Sequence, residues 1–208
     1  MNLKHKQKRL AELRDEIATL ERDLVSDSVD DWHPGKEPFY AAYHATSGLV
    51  LGMLGAISSL IFNILGSLVV GQHPLRLIQV YLTFPLGEKA LSAEFNTGMA
   101  MAIGCVLYLL TGMLLGVPFQ LAISKFIPTA TLQKRLLFST ILGLVLWVVN
   151  FYGILSWLQP MLFGGNWVTD VKLLPPWVGA ATHLVFAWTM ACLYPWGIIH
   201  APQNHPTD

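Results

Sequence analysis

Few residues in this chain have side chains suited to chemistry, and those that do lie inside apolar runs. His183 and Asn63 are polar residues within long hydrophobic stretches, and Cys105 and Cys192 lie in such stretches as well. A buried histidine or asparagine must find a hydrogen-bond partner or cost free energy. An imidazole so placed can ligate a haem or a metal, or hydrogen-bond a quinone carbonyl, with Asn63 or Cys105 beside it. The commoner reading of such a residue is a satisfied structural histidine. Bis-histidine haem ligation needs two histidines at matching depth, and His44 falls toward the opposite leaflet from His183. His44 and His200 match in depth but sit at the water boundary. No resident cofactor is therefore expected, and the alternative is haem or quinone held by His183 and Asn63. No group of metal ligands at a useful spacing appears. The cysteines read as small buried hydrophobes.

Catalytic patterns are missing from the sequence. There is no Walker loop, no Gly-x-Ser-x-Gly, no His-Glu-x-x-His and no Cys-x-x-Cys. The apolar runs lack carboxylate pairs, so general acid–base and di-metal chemistry have no residues to carry them. Pumps and secondary transporters keep ionisable groups within the membrane, and here only histidine could serve. The chain is not expected to be an enzyme by itself.

The elements that must position these residues follow from the distribution of charge. The 208 residues carry 13 Lys+Arg and 13 Asp+Glu, only 12% charged against 53% hydrophobic, with a mean hydropathy of +0.50. A soluble domain has about twice that share of charge. Residues 1–38 hold 16 of the 26 charges, leaving ten for the other 170 residues. So apolar a remainder belongs in lipid, which excludes a secreted disulfide scaffold, a nucleic-acid binder and an ordinary soluble enzyme. The amino-terminal stretch is acid-rich and long before its first apolar run, unlike a signal or transit peptide.

Four apolar segments are predicted to span the membrane as helices: Tyr43–Val70, Phe95–Ser124, Leu136–Leu162 and Pro175–Ile199. Each exceeds the roughly 20 residues a span requires and contains no Asp, Glu or Arg. The fold class is thus an all-α integral membrane protein, with residues 39–200 as the membrane domain and 201–208 as a tail. Between the first two spans, Leu75–Leu86 is too short to cross and too greasy for an exposed loop. It predicts a short helix over about 74–86, lying in the outer interface or re-entering against a neighbour. Residues 1–38 form a cytoplasmic amphipathic helix and a linker. There Leu10, Leu13, Ile17, Leu20 and Leu24 make a narrow seam suited to a partner helix. Small residues at four-residue spacing, Gly48–Gly52, Gly112–Gly116 and Ala187–Ala191, predict close helix packing, within the chain or between subunits.

Ten basic residues on one side against three on the other place both termini in the cytoplasm by the positive-inside rule, in a bacterial inner membrane or its equivalent. Counting about 1.5 Å of rise per residue puts Asn63, Cys105, Ser156 and His183 in one outer layer. Tyr108, Thr111 and Asn150 fall nearer the middle, and His44, Gln120 and His200 at the inner surface. The leading expectation is a non-catalytic accessory or structural subunit of a larger membrane complex. A respiratory or photosynthetic electron-transfer complex fits best, by analogy of architecture alone. Its partners would be other membrane subunits and lipids. The alternative is a small haem- or quinone-binding membrane protein using His183, and the third reading is a transporter or lipid-handling protein.

Overall fold

A chain in lipid has no water to satisfy its backbone, so apolar stretches of spanning length close their own hydrogen bonds as helices. The computed structural model describes residues 5, 9–10, 13–20, 38–92, 95 and 98–198. Within them the expected spans appear as four helical stretches long and apolar enough to cross a membrane: Ala42–Val69, Gly98–Phe126, Leu132–Phe163 and Pro176–Gly197. No strand occurs among the described residues. The protein is an all-α membrane protein.

Contacts divide the chain into Met1–Ala41 and Ala42–Asp208. In the first unit residues 13–20 are helical. Leu10, Leu13, Ile17 and Leu20 are all exposed there, and Leu24 lies outside the described residues, as do His200 and the tail.

The helices from Pro38 onward are α1 (Pro38–Val69), of which Ala42–Val69 falls in the second unit, α2 (Arg76–Leu86), α3 (Gly98–Phe126), α4 (Leu132–Val148), α5 (Ser156–Phe163) and α6 (Pro176–Leu193). A π-helical turn, Val149–Leu155, joins α4 to α5 into one span. The first and fourth spans are the most buried within the bundle and the third the least. Side-chain hydroxyls inside the spans bond carbonyls of their own helix, as Ser58 does to Leu54 and Thr189 to Val185. That is how such residues are tolerated in lipid.

The small-residue pairs meet within the chain. A Cβ on Gly52 or on Gly116 would strike the opposing backbone, the Gly112 carbonyl in one case and the Gly48 carbonyl in the other. α1 and α3 thus cross at glycine contact. On α4, a Cβ at Gly143 would lie 2.8 Å from the Ala187 Cβ of α6. The apolar core lies between these crossings and consists of Leu51, Phe119, Ile123, Phe186, Ala187, Met190 and Tyr194.

The connection between the first two spans contains the short helix expected there. α2 buries Ile78, Gln79, Val80, Leu82 and Thr83, and Ile78 and Leu82 fill the hollow left by Gly104 of α3. It is held against its neighbour and does not lie free. A fully buried glutamine fastens it further: Gln159 of α5 donates to Thr83 Oγ1 at 3.2 Å and accepts from the Val168 amide at 2.9 Å.

The third span departs from α geometry at two places, and side chains bond the carbonyls beside each. In the π turn the Ser156 amide reaches back five residues to the Phe151 carbonyl. The Tyr152 carbonyl then accepts from Ser156 Oγ at 2.7 Å, and the Gly153 carbonyl from Trp157 Nε1 at 2.6 Å. Pro160, four residues after Ser156, has no amide proton to give, and Asn166 Nδ2 takes that place on the Ser156 carbonyl at 3.3 Å. Gly164, with φ of 75°, ends α5 in the left-handed conformation that glycine adopts without strain.

Candidate functional site

α1, α2, α3, the π turn and α6 surround a cavity of about 330 Å³. That volume falls within the range of small-molecule sites, which begins near ~300 Å³. Its wall is mostly apolar, with Leu77, Val80, Leu115, Leu146 and Leu155 among the aliphatic residues and Phe84, Phe151 and Phe186 among the aromatic. Polar side chains interrupt it at Ser59, Tyr81, Tyr108, Thr111, Asn150, Thr182 and His183. Ile154, on the wall, is also 40% exposed, so the wall at the π turn reaches the lipid-facing surface.

His183 stands two turns into α6. Its Nδ1 lies 2.8 Å from the Gly179 carbonyl oxygen. A carbonyl only accepts, so Nδ1 carries the proton and the neutral ring leaves Nε2 as a lone pair. Nε2 makes no hydrogen bond among the described residues. The Phe151 ring meets the imidazole edge-on at 5.8 Å, which fixes its plane from the π-turn side.

Asn63 is also buried, and it lies next to this site without opening into it. Its Nδ2 donates to the Ser59 carbonyl at 2.7 Å and to Thr182 Oγ1 at 2.9 Å. Thr182 is the neighbour of His183, so Asn63 ties α1 to α6 at this level and is itself fully engaged as a donor. Cys105 is placed elsewhere, packed against the cluster of Ile78, Leu82, Ala90 and Met101. Ser156 bonds its own helix. Of the outer layer read from depth, then, only Asn63 comes near His183.

The companions of His183 are the residues read as lying nearer the middle, together with Tyr81, which the sequence did not single out. Tyr81 of α2 reaches Thr111 Oγ1 at 2.6 Å, and its ring meets that of Tyr108 edge-on at 5.7 Å. Tyr108 OH in turn lies 2.8 Å from Ser59 Oγ. A tyrosine in the middle of the mostly apolar twelve-residue run Leu75–Leu86 was the available signal for α2 reaching inward. Asn150 sits on the π turn, and its side chain makes no hydrogen bond among the described residues.

His44 occupies the other end of the bundle. Asn63 of α1 touches Thr182 early in α6, whereas Ser47 of α1 lies against Gly197 at the end of the fourth span. The two helices are therefore antiparallel, and His44 and His183 are about a membrane thickness apart. His44 Nδ1 instead pairs with Ser124 Oγ at 3.1 Å. The cavity wall offers His183 no second histidine, cysteine or methionine, and no group of three or more metal-binding residues occurs among the described residues.

The site can therefore hold a lipophilic molecule with a small polar head against one imidazole nitrogen and one amide. The chain matches no family model, no curated protein and no solved structure, so these contacts are what any functional reading has to rest on.

Proposed function

We propose that this chain is a membrane-embedded binding protein for a lipophilic ligand of the quinone or quinol class. The observation that carries the reading is the cavity of about 330 Å³, apolar on most of its wall, with the Nε2 side of His183 lacking a hydrogen-bond partner. Ligand sites combine an apolar enclosure with a few converging polar groups in this way. Two such groups, His183 and Asn150, lie on facing elements here. A haem fits less well, because the wall supplies one nitrogen ligand and no second histidine, cysteine or methionine. The test is purification of the full chain in mild detergent, followed by organic extraction and a visible spectrum. A stoichiometric isoprenoid quinone, diminished by filling the cavity through Thr111→Phe, is the expected result. A stoichiometric Soret band that His183→Ala removes would replace quinone by haem. Neither ligand at stoichiometric amount would sink the reading.

A second reading, the accessory subunit of an electron-transfer complex, is favoured by a different observation. Leu10, Leu13, Ile17 and Leu20 are between 44% and 57% exposed, so the seam has no apolar partner among the described residues. A helix of about three heptads is marginal by itself and gains stability when a partner supplies the other face. The two readings are compatible, since a quinone-holding subunit is at home in such a complex. In both, the excess of basic residues on the amino-terminal side argues for cytoplasmic termini in a bacterial inner membrane.

A further inference from the structure

The free polar groups of the cavity are mostly acceptors, and this restricts the head group it can take. Thr182 Oγ1 donates to the Val178 carbonyl at 2.7 Å, and Thr111 Oγ1 lies 3.0 Å from the Leu107 carbonyl. Tyr81 OH lies 2.6 Å from Thr111 Oγ1 and 3.3 Å from the same Leu107 carbonyl, so whichever hydroxyl donates to the other, both protons are spent within the protein. Ser59 Oγ lies 3.0 Å from the Ala56 carbonyl, and the arrangement that uses both protons has Ser59 donating there and Tyr108 donating to Ser59. The His183 Nδ1 proton is held by Gly179. Open to a guest are therefore the lone pair of His183 Nε2, the outer lone pairs of the two tyrosine oxygens, and the amide of Asn150. Asn150 is the one donor among them.

A carbonyl-headed guest would find a single donor and would leave the imidazole lone pair facing another lone pair. A hydroxyl-headed guest satisfies it. Aromatic rings line the cavity at Phe84, Phe151, Phe186, Tyr81 and Tyr108, which suits a flat ring better than an alkyl chain. Resting on the ligand-binding reading above, we infer that the site selects the reduced, phenolic form of its ligand. One quinol hydroxyl donates to His183 Nε2, and an oxygen of the same ring accepts from Asn150 Nδ2. The polarity is the reverse of the carbonyl contact the sequence suggested for His183, and the reason is the Gly179 carbonyl, which takes the ring proton.

The test is titration of the full chain in lipid nanodiscs, followed by native mass spectrometry under anaerobic conditions. Three decyl-tailed probes are compared: a benzoquinol, its nearly isosteric quinone, and its dimethyl ether, which keeps the ring but has no hydroxyl to donate. A buried lone pair left unsatisfied weakens binding by about tenfold or more, so the quinol should bind at least that much more tightly than the other two. His183→Phe, which keeps a ring in the same place, should abolish the quinol's advantage and bring quinol and quinone to about the same affinity. Quinone binding equal to or tighter than quinol binding in the parent overturns the inference, and that ratio needs no variant to fold. Decanol binding as tightly as the quinol would overturn its aromatic part. If none of the probes binds saturably, the ligand-binding reading itself fails, a result distinct from a reversed preference.

Discussion

The glycine crossing of α1 and α3 makes one substitution behave in opposite ways at two positions of the same helix. A Cβ added at Gly48 would lie 2.8 Å from the Gly116 carbonyl oxygen, 2.9 Å from Val117 Cα and 3.0 Å from Gln120 Cβ. The first two are backbone atoms and cannot rotate away. Restoring ordinary contact at 3.4 Å requires the helices to separate by 0.6 Å at this point. A gap of that size removes about a quarter of the dispersion well for each atom pair along the seam. Overpacking of this kind costs about 1–3 kcal/mol, and Gly48→Ala should fall in that range. Gly66, about four turns beyond the crossing, has open space around its would-be Cβ. There Gly→Ala removes only backbone freedom from the unfolded chain and should stabilise by about 0.5–1 kcal/mol. Reversible unfolding in mixed micelles of sodium dodecyl sulfate, followed by circular dichroism, measures both. If Gly48→Ala lies within error of the parent, or if Gly66→Ala costs as much as Gly48→Ala, the internal glycine crossing is refuted.

Three further outcomes follow from other contacts. Asn166→Ala should cost about 0.5–1.5 kcal/mol in the parent and almost nothing in a Pro160→Ala background, where residue 160 again offers an amide to Ser156. A double-mutant cycle by the same unfolding assay measures that coupling, and additive effects would break the link. On the seam, Leu13→Glu with Leu20→Glu should leave insertion intact but remove the chain from any co-purifying complex, since each buried unpaired carboxylate costs several kcal/mol. Glu12→Lys is the control that should stay bound, and equal recovery of all three would leave the seam a surface element. In a background lacking Cys105 and Cys192, an impermeant thiol reagent on intact cells should label a cysteine at Asn166 but not one at Asn2. The opposite pattern would invert the orientation.

What the sequence by itself determined is everything that depends on composition along one dimension. The four spans are legible because hydropathy is a local sum. The structural spans Ala42–Val69 and Pro176–Gly197 differ from the sequence segments Tyr43–Val70 and Pro175–Ile199 by only one or two residues at each end. The short helix expected over about 74–86 runs from Arg76 to Leu86. The ends of the bundle were legible too, since a helix rises by a constant amount per residue: His44 and His183 lie at opposite ends, although the finer layers did not sort the neighbours of His183. Azimuth was not legible. In lipid both the packed and the lipid-facing sides of a helix are apolar, so no hydrophobic stripe says which way a residue points.

The tertiary structure therefore decided every lateral relation. It set Gly48–Gly52 on Gly112–Gly116 within the chain, sent Cys105 away from His183, and brought Tyr81 in from the connection to meet Tyr108 and Thr111. The π turn that carries Asn150 and Phe151 to the cavity was not legible either, because the residues that bond the Tyr152 and Gly153 carbonyls, Ser156 and Trp157, look, in sequence, like any serine and tryptophan in a membrane helix. The sense of the His183 contact rests on a single main-chain oxygen, that of Gly179, whose position relative to the imidazole only the folded helix defines.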